Sequence, residues 1–135
     1  MTRGTDEFTQ ANRLAWNASA PRHRQSEEWQ RQLSGFADPS FSTLDSTVSA
    51  VLASNRVEGA SVVQIGCNNG RETLSMLALG ATHATGIDQS DAFISQAEEL
   101  RAVSPYGARA GFVCADVYAL PEGLEGRFDL ALITI

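Results

Sequence analysis

The chain has 135 residues, 43% of them hydrophobic, enough for one ordinary core, and nothing in it suggests a second independently folded domain. A formal charge of −6 and a pI near 4.8 argue against a nucleic-acid partner, whose phosphate backbone calls for a basic face. No apolar run approaches the roughly 18 residues of a membrane span. Met1 to Gln10 also lacks the apolar stretch of a secretion signal, so a cytoplasmic protein with no membrane partner is expected. Cys67 and Cys114 show no metal-ligand spacing and read as small buried residues, with no metal expected.

The first sixty residues carry helical periodicity. Asp6-Glu7 open a pattern with Phe8, Ala11 and Ala15 at i, i+3 and i+7, running toward Trp16, and Pro21 is expected to stop it. The basic cluster Arg22-His23-Arg24 then reads as a solvated loop. Ser26 with Glu27-Glu28 reads as a helix cap ahead of Trp29 and Leu33, with Gly35 as the end. Asp38-Pro39 places a capping carboxylate before a first-turn proline, predicting a third helix with Phe41, Leu44, Val48, Val51 and Leu52 on one stripe, ending before Gly59.

From Ser61 the period changes. Ser61 to Gly66, Ala84 to Asp88, Ala110 to Ala115 and Phe128 to Ile133 are short apolar runs of strand length, and the apolar stretch itself extends to Ile135. Helical patterns at Arg71 to Leu79 (Leu74, Leu77, Ala78) and Asp91 to Ala102 (Phe93, Ile94, Ala97, Leu100) separate the first three. Strands alternating with helices predict parallel pairing with right-handed crossovers, and strands apolar on both faces fit helices on both sides. The expected fold is a doubly wound α/β sheet entered through N-terminal helices.

In such a sheet the ligand lies outside the carboxyl ends of the strands, where strand order reverses. The first strand ends in Gly66-Cys67-Asn68-Asn69-Gly70, whose glycines permit a tight turn and close backbone approach, before a helix whose first N–H groups favour an anion. The second ends in Asp88, 22 residues after Gly66, where a carboxylate can accept both hydroxyls of a ribose. Followed by Ser90 and Asp91, Asp88 also suits a helix cap. The third ends at Asp116, able to accept from an exocyclic amine or to serve as a turn residue. The dinucleotide spacing G-x-G-x-x-G would need glycine at Gly66, Asn68 and Arg71, and only the first is met. The G-x-G-x-G spacing of S-adenosylmethionine sites falls on Gly66, Asn68 and Gly70; two are met, and at the middle position asparagine is the non-glycine residue most tolerant of a positive φ.

VVQIGCNNGRETLSMLALGATHATGIDQSDAFISQAEEL, followed by FVCADVYALPEGLEGRFDLALITI, resembles the N-terminal half of a class I S-adenosylmethionine-dependent methyltransferase. More narrowly, the Cys-containing loop running into Glu72-Thr73-Leu74-Ser75, with Asn12 to His23 upstream, is similar to an uncharacterised bacterial small-molecule branch. The resemblance implies a Rossmann-like sheet, with residues 1–60 as an N-terminal helical segment and 61–135 as the cofactor-binding half. It further implies that Gly66, Asn68 and Gly70 shape the loop around the methionine part of the cofactor, S-adenosyl-L-methionine. Asp88 would hold the ribose, Gln89 would flank the adenine, and Asp116 with the Val117 N–H would meet its amine and a ring nitrogen. Ile133 and Thr134 would approach the reactive methyl group. Gln64 departs from the family, standing where an acidic residue is usual; it carries no charge for the cofactor's ammonium.

The expected chemistry is in-line displacement on the sulfonium methyl by a small-molecule acceptor, which asks the enzyme mainly to align the partners and exclude water. No catalytic base is identified: His83 lies in the turn before the second strand, away from the ligand, while His23 and Trp16 either cap the pocket or pack the N-terminal segment. The apolar fourth strand, read as the point of truncation, would be an exposed edge. That suggests a homodimer through this edge, and an alternative in which the chain is a non-catalytic, cofactor-binding or self-associating remnant.

Overall fold

The computed structural model describes residues 3–134, with side chains from Glu7 onward, so Ile135 lies outside the described residues. Helix α1 (Arg3–Arg24) runs through Pro21 instead of stopping there. A proline inside a helix removes one N–H and crowds the carbonyl four residues back, at a cost of about 3 kcal/mol. Contacts from elsewhere hold the turn beyond it. Gln96 Nε2 donates to the Ala20 carbonyl at 2.8 Å, Gln96 Oε1 meets His23 Nδ1 at 2.9 Å, and Arg24 pairs with Glu99. Arg22-His23-Arg24 is therefore the last turn of α1 and not a loop, and the His23 ring packs edge-on against Trp29 and Phe93.

Helix α2 (Glu27–Gly35) follows its sequence signals: Ser26 Oγ accepts from the Trp29 N–H, and Trp29 is buried. The third helix starts later than expected. Asp38 accepts from the Ser40 N–H and hydroxyl, both at 2.8 Å, and closes a turn, which also holds its carboxyl below the usual range. Helix α3 (Ser46–Ser54) is capped by Asp45, which accepts from the Val48 N–H at 2.8 Å. Between them Thr43 donates its N–H to Ser75 Oγ at 2.9 Å, a long-range bond that a helix starting at Asp38 would forgo. Phe41, Leu44 and Val48 still pack on the core, whereas Val51 is exposed.

Strands β1 (Ser61–Ile65), β2 (His83–Asp88), β3 (Ala110–Cys114) and β4 (Leu130–Ile133) pair in parallel in the order β3-β2-β1-β4. Helices α4 (Arg71–Ala78) and α5 (Asp91–Val103) make the first two crossovers. This is the expected Rossmann-like α/β sheet, and strand order reverses between β1 and β4. Val62, Ala84, Ala110, Leu130 and Leu132 alternate onto one face and share a core with Leu74, Leu77 and Leu100 and with Trp29, Phe36 and Leu52 of the N-terminal segment. Pairing of Ile65 with both Ile87 and Ile133, and of Asp88 with Cys114, brings Gly66, Asp88, Ala115 and Thr134 to the same end of the sheet. Among the described residues no helix is long and apolar enough to cross a membrane.

Candidate functional site

The loop after β1 takes the left-handed backbone three times, at Gly66 (φ 75°), Asn68 (φ 54°) and Gly70 (φ 79°). Asn68 adopts this geometry while its Oδ1 accepts from the Asn69 N–H at 2.8 Å, so the asparagine replaces a glycine and keeps the turn. A Cβ on Gly70 would lie 2.5 Å from the Phe112 ring, whereas one on Gly66 would meet nothing within 4 Å. Gly70 thus seats the loop on the sheet, and Gly66 leaves open space in front of it.

Asp88 holds that loop from the next strand. Its Oδ2 accepts from the Asn68 N–H at 2.8 Å and its Oδ1 from the Ser90 N–H at 2.9 Å. The cap of α5 is Ser90, whose Oγ accepts from the Phe93 N–H, so Asp88 does not cap this helix. An ionised carboxylate has about four acceptor sites, and two of those on Asp88 remain. Asp116 similarly accepts from the Tyr118 N–H at 2.9 Å with one oxygen, closing a 3-10 turn at Val117–Ala119.

A cavity of about 690 Å³ opens at this end of the sheet. Of the residues singled out in the sequence, Gly66, Asn68, Asp88, Gln89, Asp116, Val117 and Thr134 line it. Gly70 lies beneath the loop, and Ile133, 68% exposed, is not part of the lining. Gln89 Oε1 is buried and has no hydrogen-bond partner among the described residues. The wall opposite the strands comes from α1, where Thr9, Asn12 and Trp16 recur at i, i+3 and i+7 and the Trp16 ring stands edge-on to Phe93. Asn17 clamps α1 to the start of α5, accepting from Ser90 Oγ at 2.6 Å and donating to Asp91 at 2.7 Å. Neither His23 nor His83 lines the cavity, and His83 opens β2 at the far end of the strand. Burial, then the nearby Asp88 charge, pushes the Cys67 thiol far up, leaving it a packing residue.

Sequence reasoning missed Arg71 and Glu72, which also line the cavity. Gln64, fully buried in β1, donates through Nε2 to Glu72 Oε1 at 3.0 Å and accepts from Thr73 Oγ1 at 2.7 Å. A carboxylate in the first turn of α4 was visible in the sequence; that it leans back onto β1 and β4 was not.

A family profile described as a methyltransferase domain matches residues 62–135, more than half of the chain. Over 66 residues the chain is 36% identical to a tRNA U34 carboxymethyltransferase of Photobacterium profundum, covering 49% of this chain and 20% of that protein. The enzyme of the same name from Aliivibrio salmonicida is 35% identical with the same coverage. The chain thus spans about 20% of the length of these curated relatives. Among solved structures, magnesium protoporphyrin IX methyltransferase from Synechocystis PCC 6803, crystallised with bound SAH, superposes with a TM-score of 0.65 at 23% identity, covering 93% of this chain and 57% of that one. That likeness shows a shared fold, and with the profile match running from β1 through the loop, Asp88 and β4, the chain belongs to the methyltransferase-domain family.

Proposed function

We propose that the cavity binds S-adenosyl-L-methionine and that the protein transfers its methyl group to a small-molecule acceptor. One observation carries the reading: a carboxylate with two acceptor sites left, Asp88, stands in the same cavity as a buried carbonyl oxygen, Gln89 Oε1, that has no partner among the described residues. A ribose offers two hydroxyl donors and an adenine offers an amine, so an adenosine supplies what both residues lack. The cavity volume lies within the range of small-molecule sites, about 300–1,000 Å³. The bound product in the Synechocystis enzyme supports the same ligand.

In this reading residues 61–135 form the cofactor-binding half and the helices of 1–60 close over it. Gly66, Asn68 and Gly70 shape the loop around the methionine part. Asp88 accepts the ribose hydroxyls, Gln89 flanks the adenine, and Asp116 and the Val117 N–H meet its edge. Thr134 lines the cavity and stands toward the reacting methyl, whereas Ile133 does not line it. The cofactor's sulfonium supplies an already activated methyl, so the chain's part is to align the acceptor and exclude water, with Trp16 forming the outer wall.

The net charge of −6 supports a small molecule over a nucleic acid as acceptor. A second reading, group transfer to tRNA, is favoured by the names of the two curated relatives, both tRNA U34 carboxymethyltransferases. A third keeps cofactor binding without turnover. Isothermal titration with S-adenosylhomocysteine (SAH) and with NAD tests the cofactor: SAH should bind and NAD should not, and tighter NAD binding would overturn the assignment. A tRNA filter-binding assay then separates the acceptor classes, with no retention expected at physiological salt.

A further inference from the structure

The amide of Gln64, buried near the end of β1, is neutral, yet a carboxylate beside it, Glu72, lines the cavity. Glu72 Oε1 accepts from Gln64 Nε2 at 3.0 Å and from Thr134 Oγ1 at 3.0 Å. Both bonds fall on one oxygen, and among the described residues Oε2 receives none. Beside it, Arg71 Nη1 donates to Asn69 Oδ1 at 3.1 Å and to Asn68 Oδ1 at 3.4 Å. Asn69 is fully buried and is itself held by Gln32 of α2 at 2.9 Å. Each charge is thus oriented from behind by neutral amides or a hydroxyl. Neither enters an ion pair among the described residues. A half-buried carboxylate and a half-buried guanidinium that line one cavity without pairing with each other match a ligand that carries both signs.

We propose that Glu72 and Arg71 read the zwitterionic amino-acid end of the cofactor, Glu72 taking the ammonium and Arg71 the carboxylate. This rests on the cofactor assignment above and places the binding charge on α4 instead of β1. The strand order supplies the direction. Asp116 and Asp88 follow β3 and β2, so the nucleoside lies over that side, while Glu72 hydrogen-bonds to Thr134 after β4, at the other side of Gly66. A ligand reaching from adenine pocket to loop ends at this pair. Gln64 is then a positioning residue that fixes the Glu72 carboxylate without contacting the ligand.

Titration calorimetry with three ligands tests the assignment on the 135-residue chain: SAH, its analogue lacking the α-amino group, and 5′-methylthioadenosine, which lacks the whole amino-acid end. Wild-type protein should prefer SAH to the deaminated analogue by about tenfold, the size expected of one charge-assisted hydrogen bond in a partly exposed site. Glu72→Gln should erase that preference, and Arg71→Gln should weaken SAH by a similar factor, both leaving methylthioadenosine within about twofold. Equal loss for SAH and methylthioadenosine would make the pair mere loop support and overturn the proposal. So would equal wild-type affinity for SAH and the deaminated analogue, a comparison that stands even if a variant fails to fold. Wild-type protein that binds none of the three would overturn the cofactor assignment itself, and this proposal with it.

Discussion

Asp88 performs two tasks that separate only on mutation. It accepts from the Asn68 N–H, which keeps the left-handed turn in place, and it faces the cavity with its remaining acceptor sites. Asp88→Ala should therefore weaken SAH binding by on the order of 2–4 kcal/mol, about 1–2 for each ribose hydroxyl, and also lower the melting temperature through the freed Asn68 amide. Calorimetry and thermal unfolding on the same variant separate the two effects. A folded variant with an unchanged dissociation constant would confine Asp88 to ordering the loop.

Among the elements, α1 depends most on distant contacts. The stripe Thr9, Asn12 and Trp16 forms a wall of the cavity, while Phe8 and Leu14 are exposed, so beyond Ala20 and the half-exposed Trp16 burial of its own apolar side chains does little to hold it. Its attachment runs through Asn17 to the start of α5 and through Gln96, which serves both the Ala20 carbonyl and His23. Gln96→Ala leaves both partners unsatisfied at a buried site and should cost about 1–3 kcal/mol. Because the loss falls at the turn beyond Pro21, hydrogen exchange should rise in α1 before it rises in the strands. Uniform exchange across the whole molecule would show instead that α1 and the sheet open as one unit.

For the whole molecule, the N-terminal helices and the α/β part share one core, and β4 forms the margin of the described sheet. Leu132 is half-buried and packs against that core, whereas Ile133, in register with Ile65, is 68% exposed. We expect the 135-residue chain to self-associate through β4, whose outer backbone groups and Ile133 are uncovered among the described residues. Ile133→Lys places a charge on the exposed surface without entering the core and should shift light scattering toward monomer. Leu132→Lys would unfold the core and confuse the test. A wild-type chain that stays monodisperse and monomeric at high concentration would rule the association out.

The sequence by itself determined the strands, the loop and the strand ends that face the cavity. Short apolar runs between two helical periods admit few arrangements, and the backbone conformation at Gly66, Asn68 and Gly70 is restricted to residues that tolerate positive φ. Where two local signals competed, only the tertiary structure decided. Asp38 and Asp45 both suit a cap, and the bond from Thr43 to Ser75, 32 residues away, settles which one starts a helix. Pro21 reads as a stop, but Gln96, 76 residues from Ala20, carries the helix past it. Gln64 on β1 is neutral, and the carboxylate that reaches it, Glu72, is also held by Thr134 at a separation of 62 residues. In each case the deciding hydrogen bond joins segments that share no local pattern, so its energy enters only once the chain is folded.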